Sequence, residues 1–230
     1  MLRLGLVSLV LVAVPSLLTG CDSDQPTVAL LVADQSHEAS RAVDVESFTD
    51  RVEATCDECR VTVYDAGGDA QEQKNQARQA EATAADVIVV VPVEADDLAS
   101  VTAREMPVVS LGELVPGSDR FVGLETGEVP TQEGSDLQAA RDVLLGRAKS
   151  MTYVPTVAMS EQAADVAVAL IAGSPVTDAQ QVDGVDSWLY QDQPVTIDTL
   201  TSVLVGQGVV TIDDLCSGST RKRCTKLGLR

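Results

Sequence analysis

Asp86-Val-Ile-Val-Val-Val91-Pro92 decides the fold: between Asp86 and Pro92 it is a run of branched aliphatic residues without one polar position. A strand written this way has no face for water, so it belongs inside a sheet covered by helices on both sides. Pro92 ends it, because proline brings no N–H to a ladder. Toward the N terminus, Thr27-Val-Ala-Leu-Leu-Val-Ala33 is a second apolar run of strand length, followed by the polar Asp34-Gln35-Ser36 and a helical pattern carrying Val43, Phe48 and Val52. Between these runs lie a strand at Arg60-Val-Thr-Val-Tyr64, a turn and cap at Gly67-Gly68-Asp69, and a Gln/Ala/Glu-rich helix from Ala70 to Ala85. Beyond Pro92, residues 94–104 read as a short helix, Pro107 to Leu111 as a fourth strand and Arg120 to Leu124 as a fifth.

Strands alternating with helices through short connections define an α/β fold, a doubly wound parallel sheet with right-handed crossovers. Ligands of such sheets bind beyond the carboxyl ends of the strands. Those ends are Asp34-Gln35-Ser36, Asp65-Ala66-Gly67, Pro92-Val93-Glu94, Gly112-Glu113 and Glu125-Thr126. The chain has no GxGxxG and no Walker lysine, so a nucleotide fingerprint is absent. Further on, Ser135 to Gly146 reads as a capped helix, Ser150 to Val157 as a strand, and Ser160 to Ile171 as a helix closed by Gly173. Its Ser160-Glu-Gln-Ala163 start resembles a capping arrangement, with Val166, Leu170 and Ile171 as the buried stripe. From Val176 an irregular tail is expected, with a short strand at Pro194-Val-Thr-Ile197 and a last helix near Leu200 to Val205.

Composition agrees with the sheet, since 45% of the residues are hydrophobic but only 3% are aromatic, giving an aliphatic core. The formal charge of −19, from 16 Lys and Arg against 35 Asp and Glu, argues against nucleic acid and against a peripheral basic grip on anionic lipid. A solvated acidic surface accounts for it; halotolerance and a basic partner are the alternatives. His37 is the only histidine, which excludes multi-histidine metal sites, and its simplest place is exposed at a helix start. No Ser/His/Asp or Cys/His set, carboxylate pair or phosphate loop stands out, so neither an enzyme nor a cofactor is expected.

The N terminus has one charge, Arg3, then an apolar stretch from Leu4 to Leu18 and small residues Thr19 and Gly20 before Cys21. This is a lipoprotein signal, too short for a transmembrane helix. Residues 1–20 form the signal peptide, Cys21 is the lipid attachment site and residues 21–26 are a tether, which places the rest on the extracytoplasmic face of a bacterial cell membrane. The other four cysteines, Cys56, Cys59, Cys216 and Cys224, suggest two disulfides with three connectivities open, of which the local pairing is expected. A redox CxxC is disfavoured because Asp57 and Glu58 between the thiols would raise their pKa values. Structural zinc is disfavoured by the wide spacing of the second pair.

Several phrases together resemble the sugar-binding lipoproteins of ABC importers, of type I periplasmic-binding fold, closest to the xylose-binding branch. They are Cys56-Asp-Glu-Cys59-Arg-Val-Thr-Val-Tyr64, Gly68-Asp-Ala-Gln-Glu-Gln73, Val87-Ile-Val-Val-Val-Pro92, Met106-Pro-Val-Val109, Gly134-Ser-Asp136 with Val143-Leu-Leu-Gly146, and Pro194-Val-Thr196 with Cys216. The family's proteins are longer by roughly a hundred residues, about one domain. The gap falls after Val129, where the chain passes directly to Pro130-Thr-Gln-Glu-Gly-Ser-Asp136. The resemblance implies a first lobe over 27–129, a second-lobe remnant over 130–150, a return segment over 151–175 that packs on the first lobe, and a C-terminal tail with a disulfide over 176–230.

The resemblance also implies ligand positions. Where relatives carry an Asp-Arg pair after the fourth strand this chain has Gly112-Glu113, and their Asp-Asn after the fifth becomes Glu125-Thr126. Their Gln after the glycine-ended helix falls on Ala148 and their Lys on Val154. Asp44 and Phe48 fit in the first helix, the Arg position is Ala39 with Arg41 two places away, and Asp136 alone is unchanged. The candidate ligand set is therefore Asp136, Asp44, Arg41, Glu113 and Glu125. Asp136 also reads as a carboxylate at a helix N terminus. Trp188 and Tyr190 read either as a sugar platform or, preferably, as a packed strand of the tail.

The implied function is a solute-binding protein of a sugar importer, for a pentose or other monosaccharide. Its partners are an ABC permease and, through the lipid, the membrane. Loss of ligand positions and of most of a lobe implies weak or no sugar binding. The alternative is a non-transporting lipoprotein that uses the remaining lobe as a protein-interaction or sensory scaffold.

Overall fold

A computed structural model describes residues 25–35, 41–103, 106–130, 132, 134–175 and 177–229; Cys21 and His37 lie outside the described residues. The described strands are β1 (Thr27–Val32), β2 (Arg60–Asp65), β3 (Val87–Val90), β4 (Val108–Gly112), β5 (Arg120–Leu124), β6 (Ser150–Tyr153), β7 (Gln180–Val182), β8 (Val185–Tyr190) and β9 (Gln193–Thr196). Seven of them form one sheet in the order β2-β1-β3-β4-β5-β8-β7, parallel except for β7, which runs antiparallel to β8. Strands β6 and β9 pair antiparallel in a separate small sheet, with Met151 opposite Val195.

The apolar run at β3 behaves as its composition demands. Val87 and Val89 face one core with Val28, Leu30 and Leu111, while Ile88 and Val90 face another with Ala29 and Leu31. Helices cover both faces: α1 (Val45–Thr55), α2 (Ala70–Ala82) and α3 (Ala99–Thr102, entered from a 3₁₀ turn at Ala95–Leu98) come from the first half of the chain. Phe48 and Val52 of α1 pack on the first face; Ala77 and Ala80 of α2 and Val101 of α3 pack on the second. Helix α4 (Asp136–Leu145) has Ser135 as its N-cap, accepting from Gln138 N–H, and ends on left-handed Gly146, as the sequence predicts.

Two segments differ from the sequence expectation. Helix α5 (Thr156–Ile171) starts one turn early, directly after Pro155, and Ser160 is not its cap. Ser160 is fully buried and its Oγ accepts the N–H of Asp44, 2.8 Å away, so its polarity serves a contact with the entry of α1. The strand expected to reach Val157 accordingly stops at Tyr153. The second difference is the tail, which is not irregular: β7 and β8 form a hairpin across Asp183-Gly184, both at positive φ (50° and 84°). That geometry suits a two-residue hairpin turn, for which Asp-Gly is a preferred pair. Strand β8 then lies parallel to β5, with Val122 opposite Trp188, and extends the main sheet. Trp188 packs in the first core and its Nε1 donates to Thr177 O at 3.0 Å, which is the packed-strand reading.

A third core stands apart from the sheet. It joins Ala140, Val143 and Leu144 of α4, Met151 of β6, Val195 of β9, Leu200 and Leu204 near a wide π turn (Thr201–Val205), Leu215 of α6 (Ile212–Leu215), and Cys216 with Cys224 of α7 (Arg221–Leu227). So residues on either side of α5 and β8 assemble one small lobe. Cys216 is bonded to Cys224 inside it, and Cys56 to Cys59 at the end of α1, the local pairing.

Candidate functional site

The carboxyl ends of β1, β3 and β4 open into a cleft of about 570 Å³ bordered by Asp34, Arg41, Pro92, Glu113 and Glu128. Its floor is set by backbone. Gly112 ends β4 at φ +88°, and a Cβ there would stand 2.7 Å from that of Ala42, so the loop before α1 lies directly on this glycine. Two buried amides hold the neighbouring strand ends. Gln73 Nε2 donates to Val91 O at 2.8 Å and its Oε1 accepts from Val93 N–H at 2.9 Å, while Gln76 Nε2 donates to Asp65 O at 2.7 Å. Asp69 caps α2 by accepting from the N–H groups of Gln71 and Glu72, which aligns both amides toward the sheet.

Arg41 is the buried cation of this region, 6% exposed. Its Nη2 donates to Asp136 Oδ1 at 3.0 Å and to the carbonyl of Thr152, so it spans from the main sheet to the small lobe. Its Nε and Nη1 have no hydrogen-bond partner among the described residues. Thr156 Oγ1 donates to the carbonyl of Arg41 at 2.8 Å and fixes the backbone from which the side chain departs. Glu113 and Glu128 stand exposed at the cleft. Partial burial, Glu128, Glu94 and Asp96 push the Glu113 carboxyl above the usual carboxylate range.

A second cavity of about 360 Å³ lies between the small lobe and the entries of α1 and α5, bordered by Asp44, Asp136, Tyr153, Thr156 and Gln207. The candidate residues are thus divided. Arg41 and Glu113 border the larger cleft; Asp44 and Asp136 border the smaller cavity; Glu125 borders neither and accepts from Gln191 Nε2 at 3.0 Å. Asp44 is the N-cap of α1, its Oδ1 accepting from Ser47 N–H, and Asp136 Oδ1 accepts from Gln132 Nε2 as well as Arg41. Burial, and secondarily Asp136, raises the pKa of the Tyr153 phenol. Glu128, Gln73, Tyr153 and Gln207 were outside the predicted set. Only Gln73 carried a local signal, in the helix opening Gly68-Asp-Ala-Gln-Glu-Gln73. Among the described residues, no group of three or more His, Cys, Asp or Glu side chains could hold a metal ion, and no helix is long and apolar enough to cross a membrane.

No protein-family model and no curated protein sequence matches the chain. Solved structures do match. An ABC transporter solute binding protein from Clostridium phytofermentans with bound β-D-glucose superposes with a TM-score of 0.65 at 12% identity, covering 82% of this chain and 99% of that one. A Caulobacter myo-inositol binding protein bound to myo-inositol gives 0.60 at 12%, covering 80% and 97%. The fructose binding periplasmic domain of a hybrid two component system gives 0.58 at 10%, covering 89% and 100%. At such identities the likeness is one of fold. The chain has the periplasmic-binding-protein fold used by the sugar-binding proteins of ABC transporters.

Proposed function

We propose that this chain is a lipid-anchored, extracytoplasmic solute-binding protein of the sugar-importer type whose cleft has lost most of its grip on neutral monosaccharides. One observation carries the reading: the polar groups that would converge on a sugar are split between two cavities, and Arg41 and Asp136 are engaged with each other. A sugar site needs several donors and acceptors around one ligand, because each hydroxyl contact competes with water. Closure of two lobes around a ligand also needs a substantial second lobe. Here that lobe is the small one around α4, β6 and β9. The stretch Leu18-Thr19-Gly20-Cys21 supports the anchor, and with it a place beside an ABC permease.

Thermal melts in the presence of glucose, xylose and myo-inositol test the loss of grip. A ligand at a hundred times its Kd would raise the melting temperature by about 5–10 °C. No measurable rise at 1 mM is expected, and a saturable rise of that size would overturn the reading. Labelled palmitate incorporated into the chain, and absent from Cys21→Ala, tests the anchor.

The periplasmic domain of a two-component system among the similar structures favours one second reading, a sensory or interaction scaffold. Neighbouring reading frames separate the two. A permease and an ATPase support the importer; a histidine kinase supports the scaffold.

A further inference from the structure

We propose that the Arg41–Asp136 pair is an internal latch: it holds the small lobe at a fixed angle to the main sheet when no solute is bound, so that the lobes do not open and close with occupancy of the cleft. The inference rests on the reading of the chain as a two-lobed solute-binding protein and says what fixes its lobes.

Three observations place the latch. First, the lobes are separate bodies. Among the described residues, the cores that flank the main sheet and the core of the small lobe share none, and the chain passes between the two bodies after β5, after β6 and after β8. A cavity of about 360 Å³ lies between them. Bodies joined by a few crossings, with open space between, hinge unless a contact holds them. Second, Arg41 departs from a fixed point on the main body. Thr156 Oγ1, in the first turn of α5, donates to the Arg41 carbonyl at 2.8 Å; Ala42 is buried in the first core; and Asp44 N–H donates to Ser160 Oγ at 2.8 Å. Third, the guanidinium grips the small lobe at two elements. Nη2 donates at 3.0 Å to Oδ1 of Asp136, the first residue of α4, and also to the carbonyl of Thr152 in β6. The Arg41 side chain is buried, so water and salt screen the pair weakly. A donor held on two elements resists swivelling as well as separation.

In a hinged binding protein the solute supplies the contacts that favour one lobe angle. Here a side chain of the protein itself supplies them, and its attachment keeps it at high effective concentration. A solute entering the cleft would meet lobes already set and would shift their angle no further.

Pulsed electron spin resonance between two nitroxide labels reads that angle. The mature chain with Cys21→Ser takes one label at Gln79→Cys on α2 and the other at Lys222→Cys on α7, both exposed positions. This parent is expected to give one narrow distance distribution, moved by less than about 2 Å in glucose, xylose or myo-inositol. Asp136→Ala should broaden the distribution roughly twofold or shift its mean by more than about 2 Å, and Asp136→Asn should do so to a smaller extent. A cooperative melt shows that each variant is folded, and Asp136→Asn decides alone if Asp136→Ala is not. A parent distribution that is broad or double, or variants as narrow as the parent at the same mean distance, would overturn the latch and leave the solute-binding reading in place. A sugar that moves the parent distance overturns the latch and the loss of sugar grip together. A sugar that raises the melting temperature without moving the distance overturns the loss of grip alone and supports the latch.

Discussion

Arg41 shows how a residue chosen for one role is held by another. It stood near an expected ligand position, and it does border the cleft, but its Nη2 ties the loop before α1 to Asp136 and Thr152 of the small lobe. Removing one partner of a largely buried pair leaves the other uncompensated. Asp136 is 28% exposed, which tempers the cost. Arg41→Ala is expected to destabilise the fold by about 2–3 kcal/mol in urea unfolding, and a double-mutant cycle with Asp136→Asn should recover about 1 kcal/mol or more as coupling. Glu113 makes the opposite prediction. Its carboxyl binds a proton more tightly folded than unfolded, so stability falls as pH rises from the ordinary carboxylate range through the raised folded value. Glu113→Gln should therefore melt higher than the parent at neutral pH, and the difference should vanish below the carboxylate range. Neither role was legible locally. Asp44 likewise reads as a ligand in sequence, yet any Asp just before a helix is also a good cap, and the distance to Ser47 N–H shows that capping role.

Elements were legible where their chemistry is local. The Val/Ile run of β3 declares burial on both faces, and Ser135 with Gly146 brackets α4. The start of α5 was hidden because Ser160 answers to Asp44, which is distant in sequence, and Pro155 opens the helix instead. That the strand carrying Trp188 and Tyr190 joins the main sheet as β8 was hidden, because Asp186 and Asp192 flank its aromatic residues and mimic a polar tail. The Asp183-Gly184 pair between Val182 and Val185 was the available hairpin signal. Strand β5 offers a sharp test. Phe121 and Gly123 share a face, and a Cβ on Gly123 would meet Phe121 Cζ at 2.2 Å. Gly123→Ala should cost about 1–3 kcal/mol by overpacking, seen as a lower urea midpoint with an unchanged m-value.

At the scale of the whole molecule, two cores flank the sheet and a third fills the small lobe. Small cores bury a smaller share of their surface and need staples. The Cys216–Cys224 bond lies wholly inside the third core. Closing so short a loop contributes about 2–3 kcal/mol in the chain-entropy account. Replacing both cysteines with alanine should therefore lower amide-exchange protection in α4, β6 and α7 by that amount while β1, β3 and β4 keep theirs. Equal loss in both regions would show that the molecule unfolds as one unit.

The way the small lobe is assembled also bears on the export proposed above. Its α4 and β6 precede the crossover helix α5 and strand β8 in the chain, and its β9, α6 and α7 follow them. The apolar face of α4 must therefore wait, uncovered, for the later segment to arrive. The thiols need no such patience: partners three and eight residues apart can each close as soon as their own stretch emerges. On the proposed export, Cys56 and Cys59 are already joined when Cys216 reaches the oxidising side. Short spacing thus protects a slowly completed lobe from cross-linking to the wrong partner.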